Sequence, residues 1–231
     1  MAGILITAVV WGYISTPKTV PCVAMQYTIE DASERKYLTE GELNSLLRAE
    51  DIYPVGRAQN IISLHRIETT VLRHPMVRTA ECYLTPRNEV RVRLTQREPL
   101  VRVQVPGETY FIDTDRRVMP YRPTVQDSVL LVTGTVGVQM ASGAIADFAE
   151  WLQSDKYWRK RVHHVYVQSP LMVYIYFKDP NQPRVVMGSM RNYERKLRKL
   201  HTFYENSAEA IQGKHYTEYD IRFRGQVIGR R

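Results

Sequence analysis

The sequence has little with which to hold a metal, a phosphate or a redox centre. It contains only two cysteines, Cys22 and Cys82, far apart and in no metal-ligand or C-x-x-C spacing. Two such residues make no disulfide framework; they are either a pair of buried thiols or one bridge of an oxidising compartment. No G-x-S-x-G or H-E-x-x-H motif occurs, and Gly134-Thr135-Val136-Gly137 is not followed by the Gly-Lys-Ser/Thr that a phosphate loop needs. His163 and His164 are adjacent in a segment that reads as a strand, so their rings point to opposite faces and cannot chelate one ion together. Asp113 and Asp115 flank a turn, and the turn preference of aspartate accounts for them. No catalytic residue, cofactor-binding residue or metal ligand set is therefore expected.

Long apolar runs are scarce too. Met1 to Ile14, MAGILITAVVWGYI, is uncharged and ends at Ser15-Thr16-Pro17. It is shorter than the ~20 residues that cross a bilayer, and it has neither a basic n-region nor a clear cleavage site. Residues 1–16 read as the outer end of a signal anchor, the alternative being an ordinary buried helix or strand.

What is present suits a folded protein: 44% hydrophobic and 24% charged residues in 231, enough for one large domain or two small ones. The net charge is +8, and Arg184 to Arg231 holds eleven basic against five acidic residues. Such a field attracts an anionic helix, a lipid surface or a nucleic acid, or simply solubilises the chain.

Along the chain, Thr19 to Ile29 is rich in Val, Thr and Tyr and reads as a strand. Thr39-Glu40-Gly41-Glu42 is a capping box, followed by Leu43, Leu46 and Leu47 on one helical face. A second helix starts near Asn60 or Ser63, carries Leu64, Ile67, Val71 and Leu72, and stops at Pro75. Ala80, Cys82 and Leu84, then Val90, Val92 and Leu94, alternate with polar residues on either side of a turn at Pro86-Arg87-Asn88, as in a sheet covered on one side. The order strand, helix, helix, strand, strand is a complete α+β layer unit.

Arg97-Glu98-Pro99 makes a junction. Beyond it come strands around Val101 to Val105, Tyr110 to Asp113 and Val118 to Pro120, an apolar run Val129 to Val132, and a helix carrying Ile145, Phe148, Ala149 and Leu152. Val162 to Gln168, Leu171 to Phe177 and Arg184 to Met187 read as successive strands. Arg191 to Ile211 is a long helix with Tyr193, Leu197, Leu200, Tyr204 and Ile211 on one face. Tyr216 to Ile228 is a last extended segment whose open edge needs a partner or a device to cover it. The fold class is α+β: a small β-α-α-β-β unit, then a larger, mainly antiparallel β unit with at least two helices.

These residues resemble the FtsQ/DivIB family of bacterial division proteins, in particular its Bacteroidota forms. The run Leu72-Arg73-His74-Pro75-Met76-Val77-Arg78-Thr79-Ala80 is similar to the helix end and strand entry of the family's POTRA domain. Val92 to Leu100, VRLTQREPL, and Tyr110 to Pro120, YFIDTDRRVMP, resemble its "v.v.qR.P" and "yyiD..G.vmP" elements. Lys196 to Leu200 with Phe203-Tyr204, and Tyr219 to Val227, resemble its closing helix and strand. Arg117 departs from the pattern, which has glycine there, and is strained if the turn demands a positive φ.

The resemblance implies a non-enzymatic divisome scaffold in the cell inner membrane, single-pass, with the bulk of the chain in the periplasm. It implies a signal-anchor remnant at 1–16, a POTRA-like domain at 17–98 and a β domain at 99–231. The implied partners are FtsB/FtsL-like coiled-coil proteins, bound by β-augmentation at the C-terminal strand, and other divisome membrane proteins through the POTRA domain. Carried over residue by residue, the contact strand comprises Tyr219, Ile221, Arg222, Phe223, Arg224, Gly225 and Gln226, with Arg222 facing an acidic residue, Phe223 an apolar anchor and Gly225 a place where bulk blocks approach. No cofactor is implied. Two other readings stand beside it. A POTRA-bearing component of outer-membrane assembly or secretion would usually carry repeated units or a barrel, for which the chain has no room. A nucleic-acid-binding protein would use Arg195, Lys196, Arg198 and Lys199 with Tyr193 and Tyr204, tyrosines that equally fit a buried stripe.

Overall fold

The computed structural model describes residues 20–32, 35, 37–125, 129–211 and 215–231, with backbone alone at 208–211. The chain divides into two units, one ending at Gln96 and the other beginning at Arg97.

In the first unit the Thr39 hydroxyl accepts from the Glu42 backbone N–H at 3.3 Å, and the Glu42 carboxylate accepts from the Thr39 N–H at 2.9 Å. This reciprocal cap starts helix α1 (Glu40–Ala49), which buries Leu43 and Leu47. Ser63 caps α2 (Leu64–Leu72), which buries Ile67 and Val71. Strands β1 (Ala24–Ile29), β2 (Val77–Leu84) and β3 (Glu89–Gln96) form a sheet in the order β1-β3-β2, with β1 parallel and β2 antiparallel to β3. The register sets Ala80, Cys82 and Leu84 opposite Leu94, Val92 and Val90, so one side of the sheet closes the core over which both helices lie. Both cysteines are free thiols; burial, with the Glu68 carboxylate adding to it, pushes Cys82 up to about 12.

The second unit contains β4 (Pro99–Val105), β5 (Glu108–Asp113), β6 (Val118–Pro120), β7 (Leu130–Gly134), β8 (Val162–Ser169), β9 (Met172–Phe177), β10 (Arg184–Gly188), β11 (Glu218–Asp220) and β12 (Ile228–Arg230). They make one nine-stranded sheet in the order β12-β11-β10-β9-β8-β7-β4-β5-β6. Most neighbours are antiparallel; β4–β7, β7–β8 and β10–β11 are parallel. Parallel neighbours need long connections. The one from β7 to β8 holds a short helix α3 (Val138–Met140), a wide turn Ala141–Ile145 and α4 (Ala146–Ser154); the one from β10 to β11 holds α5 (Tyr193–Ile211).

The register aligns Tyr110, Val103, Val132, Val165, Ile175, Val185 and Tyr219 as direct neighbours across β5, β4, β7, β8, β9, β10 and β11. All are buried in the core that also takes Phe148 and Leu152 of α4 and Leu197 and Leu200 of α5. At the two edges this row meets Pro120 on β6 and Gly229 on β12. The α+β class and the two-part order read from the sequence are borne out.

Two local expectations change. The left-handed residue of the β5–β6 turn is Arg116, with φ 66°, not Arg117. Arg117 instead donates its N–H to Asp113 Oδ1 at 2.7 Å, while the other Asp113 oxygen accepts from the buried Arg97 guanidinium at 2.7 Å. Tyr216 to Ile228 is not one extended segment either. Gly225, with φ 79°, lies in a turn that returns the chain as β12 along β11.

The single-pass inner-membrane arrangement is corrected: among the described residues no helix is long and apolar enough to cross a membrane. The longest, α5, has nineteen residues and carries charges along its length, each costly to bury in hydrocarbon. Residues 1–16, on which that expectation rested, lie outside the described residues.

Gly134 ends β7 with φ 99°, and a Cβ there would lie 2.2 Å from the Val167 carbonyl oxygen on β8. Gly134→Ala is therefore expected to lower the unfolding free energy by roughly 2 kcal/mol or more, read as a drop in the urea midpoint of the full chain.

Candidate partner-binding site at the C-terminal sheet edge

The last thirteen residues of the sheet-forming chain, from Glu218 to Arg230, build a hairpin whose two faces differ. On the helix side Tyr219, only 4% exposed, sits in an aromatic nest, its ring 5.5 Å from Phe203, 5.7 Å from Tyr204 and 5.5 Å from Tyr216. Ile221 is buried in the same core. Of the carried-over contact residues, these two thus face α5, while Arg222, Phe223, Arg224, Gly225 and Gln226 are exposed in the loop.

The alternate residues of β11 are carboxylates, and both are buried. Asp220 accepts from Arg222 at Nε (2.9 Å) and Nη2 (2.6 Å), from the Arg222 N–H (3.1 Å) and from Arg230 Nη2 (3.2 Å). Glu218 accepts from Arg184 Nε (3.0 Å) and Arg230 Nη1 (3.0 Å). Arg230 therefore ties β12 to both acids of β11, in addition to the ladder. Arg222, expected to reach for an acidic partner residue, is already engaged within its own chain.

The loop is fixed from the other side by α5. Lys199 Nζ donates to the carbonyls of Ile221 (3.1 Å), Gln226 (2.7 Å) and Phe223. Lys196 Nζ donates likewise to Met187 (3.0 Å) and Ser189 (2.7 Å). An ammonium with its donors so spent has little left for a phosphate backbone, and the half-buried Tyr204 packs edge-on against Tyr219 rather than standing open for base stacking. Phe223 is left 44% exposed, with the Arg222 guanidinium 5.6 Å from its ring centroid. Gly229 lies against the Tyr216 ring, where a Cβ would come within 2.6 Å. Sequence reasoning missed Glu218, Asp220 and Arg230, and it weighed Lys199 only as a phosphate contact, whereas its donors go to the loop carbonyls. The available signal was the pair of acids two apart in a basic segment, since buried carboxylates need cationic partners.

Elsewhere the predicted negatives have simple positions. His163 is exposed, while His164 hydrogen-bonds Thr133 Oγ1 at 2.8 Å and stacks on Tyr176. Among the described residues no group of His, Cys, Asp and Glu could hold a metal ion.

Comparison with known families gives two matches: residues 98–230 to the FtsQ/DivIB, C-terminal related family, and residues 20–95 to the POTRA-like domain. The chain belongs to the FtsQ/DivIB, C-terminal related family. No curated protein matches it. Membership makes this FtsQ/DivIB-related chain a non-enzymatic scaffold of the division machinery, and its POTRA-like domain belongs to a class that mediates protein–protein contact.

Burial of the Asp220 carboxyl works to raise its pKa, but hydrogen bonds from Arg222 and the charges of Arg222 and Arg230 overcome this and hold it below the usual carboxylate value. A depressed folded-state pKa contributes stability that is fully present above the unfolded value near ~4 and is lost as pH falls through the lower folded value. Asp220→Asn should thus lower stability by about 2 kcal/mol at neutral pH, and its difference from the parent, measured by urea unfolding, should shrink as the pH falls through and below the usual carboxylate range.

Proposed function

We propose that this scaffold receives a segment of an FtsB/FtsL-like coiled-coil protein by strand addition at its C-terminal edge, linking early and late septation proteins. In this reading residues 17–98 form the POTRA-like domain, which engages further divisome proteins, and residues 99–231 the β domain. The likeness to Bacteroidota forms rests on motif order alone.

The observation that carries the reading is the position of β12, the last strand of the nine-stranded sheet, with no further strand beyond it among the described residues. Main-chain hydrogen bonds supply the affinity of such an edge, and alternate side chains the selection. Tyr219 and Ile221 serve by packing the hairpin onto α5. Phe223 is the apolar anchor, flanked by Arg222 and Arg224, while Gly225 and Gln226 lie in the exposed loop. Lys199 supports the reading too, because a loop already ordered on α5 loses little entropy when a partner arrives.

Phe223→Ala in the full chain, with its circular dichroism unchanged, should weaken capture of the coiled-coil partner from detergent-solubilised cells at least about tenfold. Unchanged capture removes Phe223 from the site, and recovery of no division protein by the parent chain refutes the partner assignment.

A further inference from the structure

Where β4, β7 and β8 begin and β9 ends, the second unit has a cavity of about 480 Å³. Its floor is apolar, made by Leu100, Leu130, Leu152 and Val162. Its rim is not: Arg102 on β4, Arg159 after α4, His163 on β8 and Lys178 after β9 surround it, and no Asp or Glu is among the described residues lining it. Arg159, His163 and Lys178 are exposed, and none makes an ion pair or side-chain hydrogen bond among the described residues. The neighbouring stretch adds to the field, since Lys156 to Arg161 holds four cations and no acid. Of these Arg161 is occupied, its guanidinium 3.6 Å over the Tyr157 ring and its Nη1 donating to the Tyr157 carbonyl.

We infer that this cavity is a second docking site, for an acidic peptide segment that seats one apolar side chain on the floor and sets carboxylates against Arg159 and Lys178. Like charges gathered round a concavity repel one another and focus a positive potential, which a carboxylate relieves. The apolar floor selects a side chain over a bare anion. A lipid surface is flat and does not enter a concavity. A nucleic acid would want open ring faces for stacking, whereas Tyr121 at the mouth already stacks on Phe111, with centroids 5.8 Å apart. Strand addition is not the mode here, because the nearby edge strand β6 ends in Pro120, which has no N–H to give.

The test is fluorescence anisotropy of the full chain with a labelled peptide Glu-Glu-Asp-Leu-Leu-Glu-Asp-Glu. Arg159→Glu with Lys178→Glu should weaken binding at least about tenfold. Arg195→Glu with Arg198→Glu on α5 should change it less than about twofold, as should a shift to Arg159→Lys, which keeps the charge. Replacing both leucines of the peptide by serine should also weaken it about tenfold. Both exchanged residues are exposed, and circular dichroism checks that the fold is retained. Equal losses from the two double variants would reduce the effect to general charge attraction and overturn the site. So would absence of binding to the parent chain, or tighter binding to phosphatidylglycerol vesicles through the same two residues.

Discussion

Seven side chains in register across seven strands set the terms for the rest of the second unit. Because successive residues of a strand point to opposite faces, fixing Tyr110, Val103, Val132, Val165, Ile175, Val185 and Tyr219 on the helix side fixes the parity of every neighbour. The apolar faces of α4 and α5 then have one place to go. The polar residues Arg102, His164, Tyr166, Tyr174 and Tyr176 fall on the other side, and Glu218 and Asp220 must flank Tyr219 on β11. A one-residue slip anywhere in the row would put a charge or tyrosine hydroxyl into the core and a valine into solvent. Each valine or isoleucine of the row is fully buried, so the penalty for such a slip is about 1.5–3 kcal/mol per residue displaced.

That parity is also why so much of the fold was legible. Val90, Val92 and Leu94, or Val101, Val103 and Val105, announce strands by period two alone, and Thr39 with Glu42 announces a helix start by chemistry that the structure reproduces. What the sequence did not disclose depends on distance along the chain. Nothing local in Leu130–Gly134 says that it pairs in parallel with β4 on one side and β8 on the other. The return of β12 was hidden because the turn at Gly225 joins two strands of only three residues, too short for alternation to register. The contact residues were transferred as one extended strand, so Tyr219 and Ile221 were grouped with Phe223, whereas the turn separates a buried pair from an exposed loop. The family glycine position was legible but its meaning was not, since the turn takes its left-handed residue one place earlier, at Arg116.

Charge tells a similar story. The surplus of cations after Arg184 suggested an open basic surface, yet Arg184, Arg222 and Arg230 answer the two carboxylates of β11, and Lys196 and Lys199 are turned onto backbone carbonyls. Much of that charge is spent on holding the hairpin. The smaller run Lys156–Arg161 drew no notice in the sequence, although there the cations have far fewer answering groups. Counting charges along a chain gives the field at a distance; which of them remain available is decided by what folds back over them.

The order of strands in the large sheet carries one more consequence, in time rather than in space. After the β4–β5–β6 meander, β7, β8, β9, β10, β11 and β12 are laid down in one direction in the same sequence in which a ribosome delivers them. Each strand, as it emerges, meets the edge left by its predecessor, so assembly needs no strand to be inserted between two already paired, and the slow search for distant partners is shortened to one open border at a time. The β11–β12 hairpin is the last part of this sheet to emerge. The border it presents exists only once the strands before it have been laid down, which makes that border a mark of a completed sheet.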